Sequence, residues 1–329
     1  MSALARARSR FPGAPLAGAE GVQADRASAV AATAGALHRV CAGDTAAGIA
    51  LPASSTDLAF VRDAVCGRLA LPAVPRIVRR LVELLDDDDV SPGAILAELE
   101  CEPLLAARTL AVANVRSARR PVVSLADAID AAGLTALRTL VSGCGLHAVF
   151  VDVQGVNLRR WWLDAGIAAR AARAPAVPAR CDPDAAYASG LLHAVGHLIL
   201  CRAHPQALQR ALAGSQVQRG AALAVAERAA CGHAHPEVGA AWLAGLGLPA
   251  PVVDAVAHQL VPRWAPAGSL AALVQVATAI AAAADDGATP ERALASVTPE
   301  LLAMAGLAPA DSAACLAAGY RRWIDEASR

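Results

Sequence analysis

The chain has 329 residues, 56% of them hydrophobic and 18% charged, with 29 basic residues balanced by 29 acids. That composition excludes a disordered polyelectrolyte and a collagen-like repeat, and the length suits about two compact units. Every basic residue is Arg, and acids are interspersed along the length, so the concentrated basic field that non-specific nucleic-acid binding requires is missing.

The first 21 residues carry Arg6, Arg8 and Arg10, but Phe11, Pro12, Gly13 and Pro15 interrupt any apolar run, so residues 1–21 read as a disordered tail, not a secretory signal. Helical patterns over about 26–41 and 55–69 define an appendage, residues 22–65, expected to pack on the bundle that follows it. From Val74, the set Ile77, Val78, Leu81, Leu84 and Leu85 marks an amphipathic helix ended by the acidic run Asp86 to Asp89, which reads as a solvated turn. Ser91-Pro92 and Glu102-Pro103 each open a helix, Ser124 caps another that Gly133 closes, and Leu134, Leu137, Leu140 and Val141 begin a further apolar face. These elements predict a small bundle between about 70 and 150.

A second helical block is predicted from about Asn157, interrupted by the proline-rich stretch Pro175 to Pro183. Its helices are expected near 184–203, 205–214, 217–230, 235–246, 249–261 and 268–284, with closing helices at 299–306 and 309–327. Aromatic residues are 3% of the chain and β-branched runs are short, so the fold is all-α. The longest apolar stretch, Leu270 to Ala284, is interrupted by Gln275 and Thr278 and is too short to span a bilayer. The eight cysteines form no C-x-x-C pair and lie in apolar helical surroundings, which points to buried thiols in a reducing, cytoplasmic setting.

Chemistry-bearing residues concentrate in two places. In Gly190-Leu-Leu-His193-Ala-Val-Gly-His197, the four-residue spacing would place both imidazoles on one face of a continuous helix, without the Glu of an H-E-x-x-H site. His233-Ala-His235-Pro-Glu237, followed by His258, is the other. Helical bundles build metal sites from several helices, so Asp164, His193, His235 and His258 form one candidate pocket, although the commoner outcome of such spacing is unrelated histidines at helix ends. No phosphate-binding glycine loop, nucleophile elbow or lysine occurs.

A series of short matches then becomes specific through its order. It runs through Leu71-Pro72-Ala73-Val74-Pro75, Glu102-Pro103-Leu104-Leu105, Ala113-Asn114, Pro121-Val122-Val123-Ser124-Leu125, Gly133-Leu134 and Leu137-Arg138, and resumes at Trp162, Gly190-Leu191-Leu192-His193, His235-Pro236-Glu237, Leu248-Pro249 and His258. Residues 66–285 resemble an HDOD domain, related to the HD superfamily of metal-dependent phosphohydrolases, with 286–329 supplying helices that close it. The resemblance implies an N-terminal helical bundle packed on an HD-phosphohydrolase-like block.

The resemblance also implies an incomplete hydrolytic centre. Asp164 stands where the family's first His is expected, His193-Ala194 replaces the His-Asp pair, and Thr278 occupies the approximate place of the last Asp. The candidate pocket is therefore expected to be vestigial, with no metal, no cofactor and no catalytic residue. The function implied is a bacterial signal-transduction module acting on other signalling proteins, with no nucleic-acid partner. The alternative is a degenerate phosphohydrolase, or a module that binds a cyclic nucleotide or other small ligand in the old pocket. Asn114 and Arg138 match recurrent family positions and read as helix-capping or packing residues at the bundle junction.

Overall fold

The computed structural model describes residues 58–87, 89–117, 120–147, 157–213, 219–262 and 268–327; the expected tail and the helix near 26–41 lie outside them. The described residues contain helices and no strand. After α1 (Ala59–Val65) comes a bundle of α2 (Pro75–Asp86), α3 (Pro92–Leu99), α4 (Pro103–Arg116), α5 (Leu125–Ala132) and α6 (Leu134–His147). The second block is built from α7 (Leu158–Arg173), α8 (Pro183–Leu192), α9 (Val195–Ala203), α10 (Pro205–Leu212), α11 (Gly220–Cys231), α12 (His235–Gly245), α13 (Ala250–His258) and α14 (Leu270–Asp285). It is followed by α15 (Pro290–Ala295), α16 (Pro299–Met304) and α17 (Pro309–Ala327).

Local chemistry sets many of these boundaries. The Ser91 hydroxyl accepts from the Ala94 amide and Ser124 from Asp127, satisfying N–H groups that have no partner within the helix, while Pro92 and Pro103 occupy first-turn positions where no donor is needed. Gly133, at φ +74°, closes α5 in a conformation that disfavours a Cβ. The apolar face of α2, with Ile77, Val78, Leu81 and Leu85, packs with Leu99, Leu105, Leu137 and Leu140 into the bundle core. Each such leucine taken from water contributes about 1.5–3 kcal/mol before the entropy of ordering is counted.

The two blocks are joined through α4. One face, with Leu105 and Val112, belongs to the bundle core; the other, with Leu104, Ala107 and Leu110, enters a larger core shared with Trp161, Leu191, Leu198 and Trp242. Asn114 holds the connector after α4. Its amide nitrogen donates to the carbonyls of Leu110 and Val122, and its oxygen accepts from the Val122 amide. Arg138 donates to the Leu85 carbonyl at the end of α2.

Helix α7 is the axis of the second block, packing on α8, α14 and α17. Ala168 and Ala169 permit the crossing with α8, where a Cβ on Gly190 would lie 2.7 Å from the Ala168 carbonyl oxygen. A third core on the far side of α7 takes Ile167, Leu273, Val276, Ile280, Tyr320 and Trp323 from α7, α14 and α17.

Three expectations change. Helix α1 packs chiefly on α12 and α9 of the second block, more than on the first bundle, with Val65 against Gly245. The expected continuous helix over 184–203 is two helices. The six-residue α15, capped by Thr289 and begun by Pro290, is an additional element. Among the described residues no helix is long and apolar enough to cross a membrane.

Candidate functional site

The break between α8 and α9 creates the site. Ala194 leaves the helical region at φ −102° and ψ 4°, and the two carbonyls at the break are engaged from elsewhere. The Gln259 amide donates to the His193 carbonyl at 2.8 Å, and the Trp161 indole N–H donates to the Ala194 carbonyl at 3.3 Å. His193 thus ends one helix while His197 lies in the first turn of the next, yet both line a cavity of about 280 Å³ between α7, α9, α11, α12 and α14.

His193 Nδ1 lies 2.8 Å from the Gly190 carbonyl, which can only accept, so Nδ1 carries the proton and Nε2 keeps its lone pair. Burial drives the His193 pKa down to about 4, leaving the ring neutral.

His197 and His235 face a different partner. Glu227, completely buried, binds His197 Nδ1 through Oε1 at 2.6 Å and His235 Nδ1 through Oε2 at 2.7 Å, and Oε2 also accepts from the His235 amide at 2.8 Å. Burial opposes ionisation of Glu227, but the two imidazole hydrogen bonds outweigh it and carry its pKa down to about 2. Burial likewise disfavours a charged His197, and Cys201 and Glu227 overcome that penalty, raising it to about 10. The result is a buried, charge-compensated tie between α9, α11 and the start of α12.

The opposite wall is governed by Arg219, immediately before α11. Its guanidinium lies 3.2 Å from Asp164 Oδ2, pairs closely with Asp285 and donates to the Ala282 carbonyl at 3.1 Å. Arg160 also pairs with Asp285 and reaches Asp286 at 3.6 Å. Burial raises the Asp164 pKa to about 6 even though Arg219 pulls the other way; its Oδ1 is buried and meets no hydrogen-bond partner.

The residues do not fit a divalent metal. Asp164 is paired with a permanent cation, His197 and His235 are both tied to Glu227, and Ala194 offers no donor beside His193. Among the described residues no group of three or more His, Cys, Asp or Glu side chains is placed to hold an ion. A fixed guanidinium already balances the carboxylates on one side of the cavity.

Of the four sequence candidates, Asp164, His193 and His235 line this cavity. His258 does not. It lines a neighbouring surface groove, with Nδ1 2.9 Å from the Asp254 carbonyl, while Gln259, one residue and about 100° further around the helix, reaches the cavity instead. The reading from sequence missed Arg219, Glu227, Gln259 and Asp285. Glu227 had a signal: a carboxylate four residues after Leu223, on the only buried stripe of α11. Arg219 had none, since its partners lie 55 and 66 residues away.

The HDOD domain model matches residues 71–262, more than half of the chain. The chain is similar to the MmoQ response regulator of Methylococcus capsulatus strain Bath, at 28% identity and TM-score 0.59, over 75% of this chain and 98% of that one. A fragment structure of the same regulator gives 27% and 0.56, over 74% of this chain and 94% of that one. A virulence factor of Campylobacter jejuni subsp. jejuni shares the fold at 15% identity and TM-score 0.55, over 78% of this chain and 94% of that one. No curated protein matches.

Proposed function

Since the chain belongs to the HDOD family, we propose that it is a non-catalytic signal-transduction module that acts by presenting helical surfaces to other cytoplasmic signalling proteins. The observation that carries the non-catalytic part is the Arg219 guanidinium paired with Asp164 and Asp285. A hydrolase of this type needs a divalent ion that polarises a phosphoester and lowers the pKa of water. A guanidinium can neutralise carboxylates but cannot bind and ionise a water in that way. The similarity to a response regulator over nearly all of that protein supports the signalling part. The module is assigned to residues 66–285, closed by helices of 286–329 that share a core with α7 and α14.

The test is to incubate the purified protein with Mn²⁺ or Zn²⁺, desalt it, and measure both metal content and hydrolysis of bis(p-nitrophenyl) phosphate, with His193→Ala handled identically. Trace metal in both proteins and no turnover is the expected result. Near-stoichiometric metal that His193→Ala abolishes, or metal-dependent turnover, would overturn the reading in favour of a degenerate phosphohydrolase.

A further inference from the structure

A second cavity, of about 430 Å³, opens on the other side of α7, where the two helical blocks meet. Its wall takes Arg76 from α2, Glu100 and Cys101 from the turn between α3 and α4, and Arg159, Trp162 and Arg170 from α7. Three guanidinium groups thus face one carboxylate. Arg170 is positioned by donating to the Gly166 carbonyl at 3.0 Å, and its other terminal nitrogen stands 3.7 Å from Glu100. Two further acids flank the cavity without lining it: Glu98, 4.0 Å from Arg80, and the buried Glu102 beside Trp162, whose carboxyl is held toward its neutral form by burial.

The aromatic component is equally fixed. Trp162 packs edge-on against Trp161, with ring centroids 6.2 Å apart and planes at 77°, and Trp161 is anchored to the Ala194 carbonyl. The Trp162 indole N–H is buried, on the side of the Glu102 carboxyl. The Cys101 thiol is pushed up in pKa by burial, so it acts here as a small apolar wall and not as a nucleophile.

Guanidinium groups recognise phosphate oxygens through paired N–H donors, and an indole offers a flat face for stacking. We propose that this junction is a binding site for a nucleoside phosphate, with Arg76, Arg159 and Arg170 on the phosphates and Trp162 against the base. The volume falls within the usual range for small-ligand pockets, and the site lies apart from the cavity around His193. Since the cations come from both blocks, an occupied site links α2 to α7 and favours one relative setting of the blocks.

The test uses the full chain with ATP, GTP and inorganic tripolyphosphate as probes, read by titration calorimetry and tryptophan fluorescence. Saturable binding of at least one nucleotide, weakened by salt and about tenfold by Arg159→Ser or Arg76→Ser, is expected; tripolyphosphate should bind more weakly and leave fluorescence unchanged. Both arginines are exposed, and circular dichroism and a thermal melt check that the variants remain folded. Absence of binding by either nucleotide would overturn the proposal. So would binding that both substitutions leave intact. Equal affinity for tripolyphosphate would overturn the role given to Trp162.

Discussion

Glu102 and Glu227 are both carboxylates without exposed surface, and their surroundings drive them in opposite directions. At Glu102 burial dominates, and the nearby Leu104 amide and Trp162 indole soften the penalty without meeting either oxygen in hydrogen-bond geometry. Its pKa rises to about 8 from an ordinary value of 4.5. Between those values the folded protein keeps a proton that the unfolded chain has lost. Its contribution to stability is therefore present at about pH 4.5 and disappears as pH rises through about 8. Glu102→Gln cannot ionise, so as pH rises from about 4.5 to about 8 the wild type should lose stability relative to this variant, read as a growing difference between their urea midpoints; a difference that stays constant with pH would contradict this. The Glu227 network behaves differently. The His197 share of stability is fully present below about pH 6.5 and falls as pH rises from there through about 10, while the Glu227 share is fully present above about pH 4.5 and is lost as pH falls through about 2. Glu227→Gln leaves the charged His197 ring without its counter-charge and removes the acceptor of His235, and should lower stability by about 3 kcal/mol. The same variant should return the His197 ring to a lower pKa, measurable by NMR titration of its ring protons.

At the scale of the helix, the crossing of α9 over the start of α12 brings His197 and His235 to one carboxylate. That crossing depends on Gly196. A Cβ there would sit 2.0 Å from the His235 carbonyl oxygen and 2.5 Å from the Gly239 amide, both of them backbone atoms. Gly196→Ala should therefore cost about 2 kcal/mol or more despite the better helix propensity of alanine. Gly93, exposed in α3 with nothing within 4 Å of its missing Cβ, is the matched control, where alanine should stabilise by about 0.5 kcal/mol. Denaturant unfolding of the two variants measures both signs. These two glycines also show which parts of the fold can be read from sequence. The start of α3 follows from Ser91 and Pro92, and α5 from Ser124 and Gly133, because caps and breakers act within a turn. The interruption at Ala194 has no local cause. It depends on Gln259 and Trp161, which meet the chain only after the second block has assembled. For the same reason, the docking of α1 on α12 could not be inferred from the pattern that made it a helix.

Across the whole molecule, the candidate site divides in the same way. Asp164, His193 and His235 could be found from their order along the chain, because the elements carrying them form a recognisable series. His258 could not be separated from Gln259 without the rotation of α13. Arg219, which gives the cavity its charge balance, acts only through tertiary proximity, joining the start of α11 to Asp164 of α7 and to Asp285 at the end of α14. Because these carboxylates are mostly shielded from water, losing the guanidinium removes more than an exposed ion pair would. Arg219→Ala should destabilise the protein by about 2 kcal/mol, from lost charge-assisted hydrogen bonds and from Asp164 left without its cation, while Asp285 keeps only Arg160. Arg219→Lys should restore only part of that, since one ammonium cannot reproduce the planar fork that reaches Asp164, Asp285 and the Ala282 carbonyl together. Combining Arg219→Ala with Asp285→Asn should cost less than the sum of the two, because Asp285 is then no longer an acid in need of a cation. Additive losses in a urea-unfolding cycle would mean that Arg219 acts by packing alone. A less-than-additive loss identifies its charge as the counter-ion that Asp285 requires.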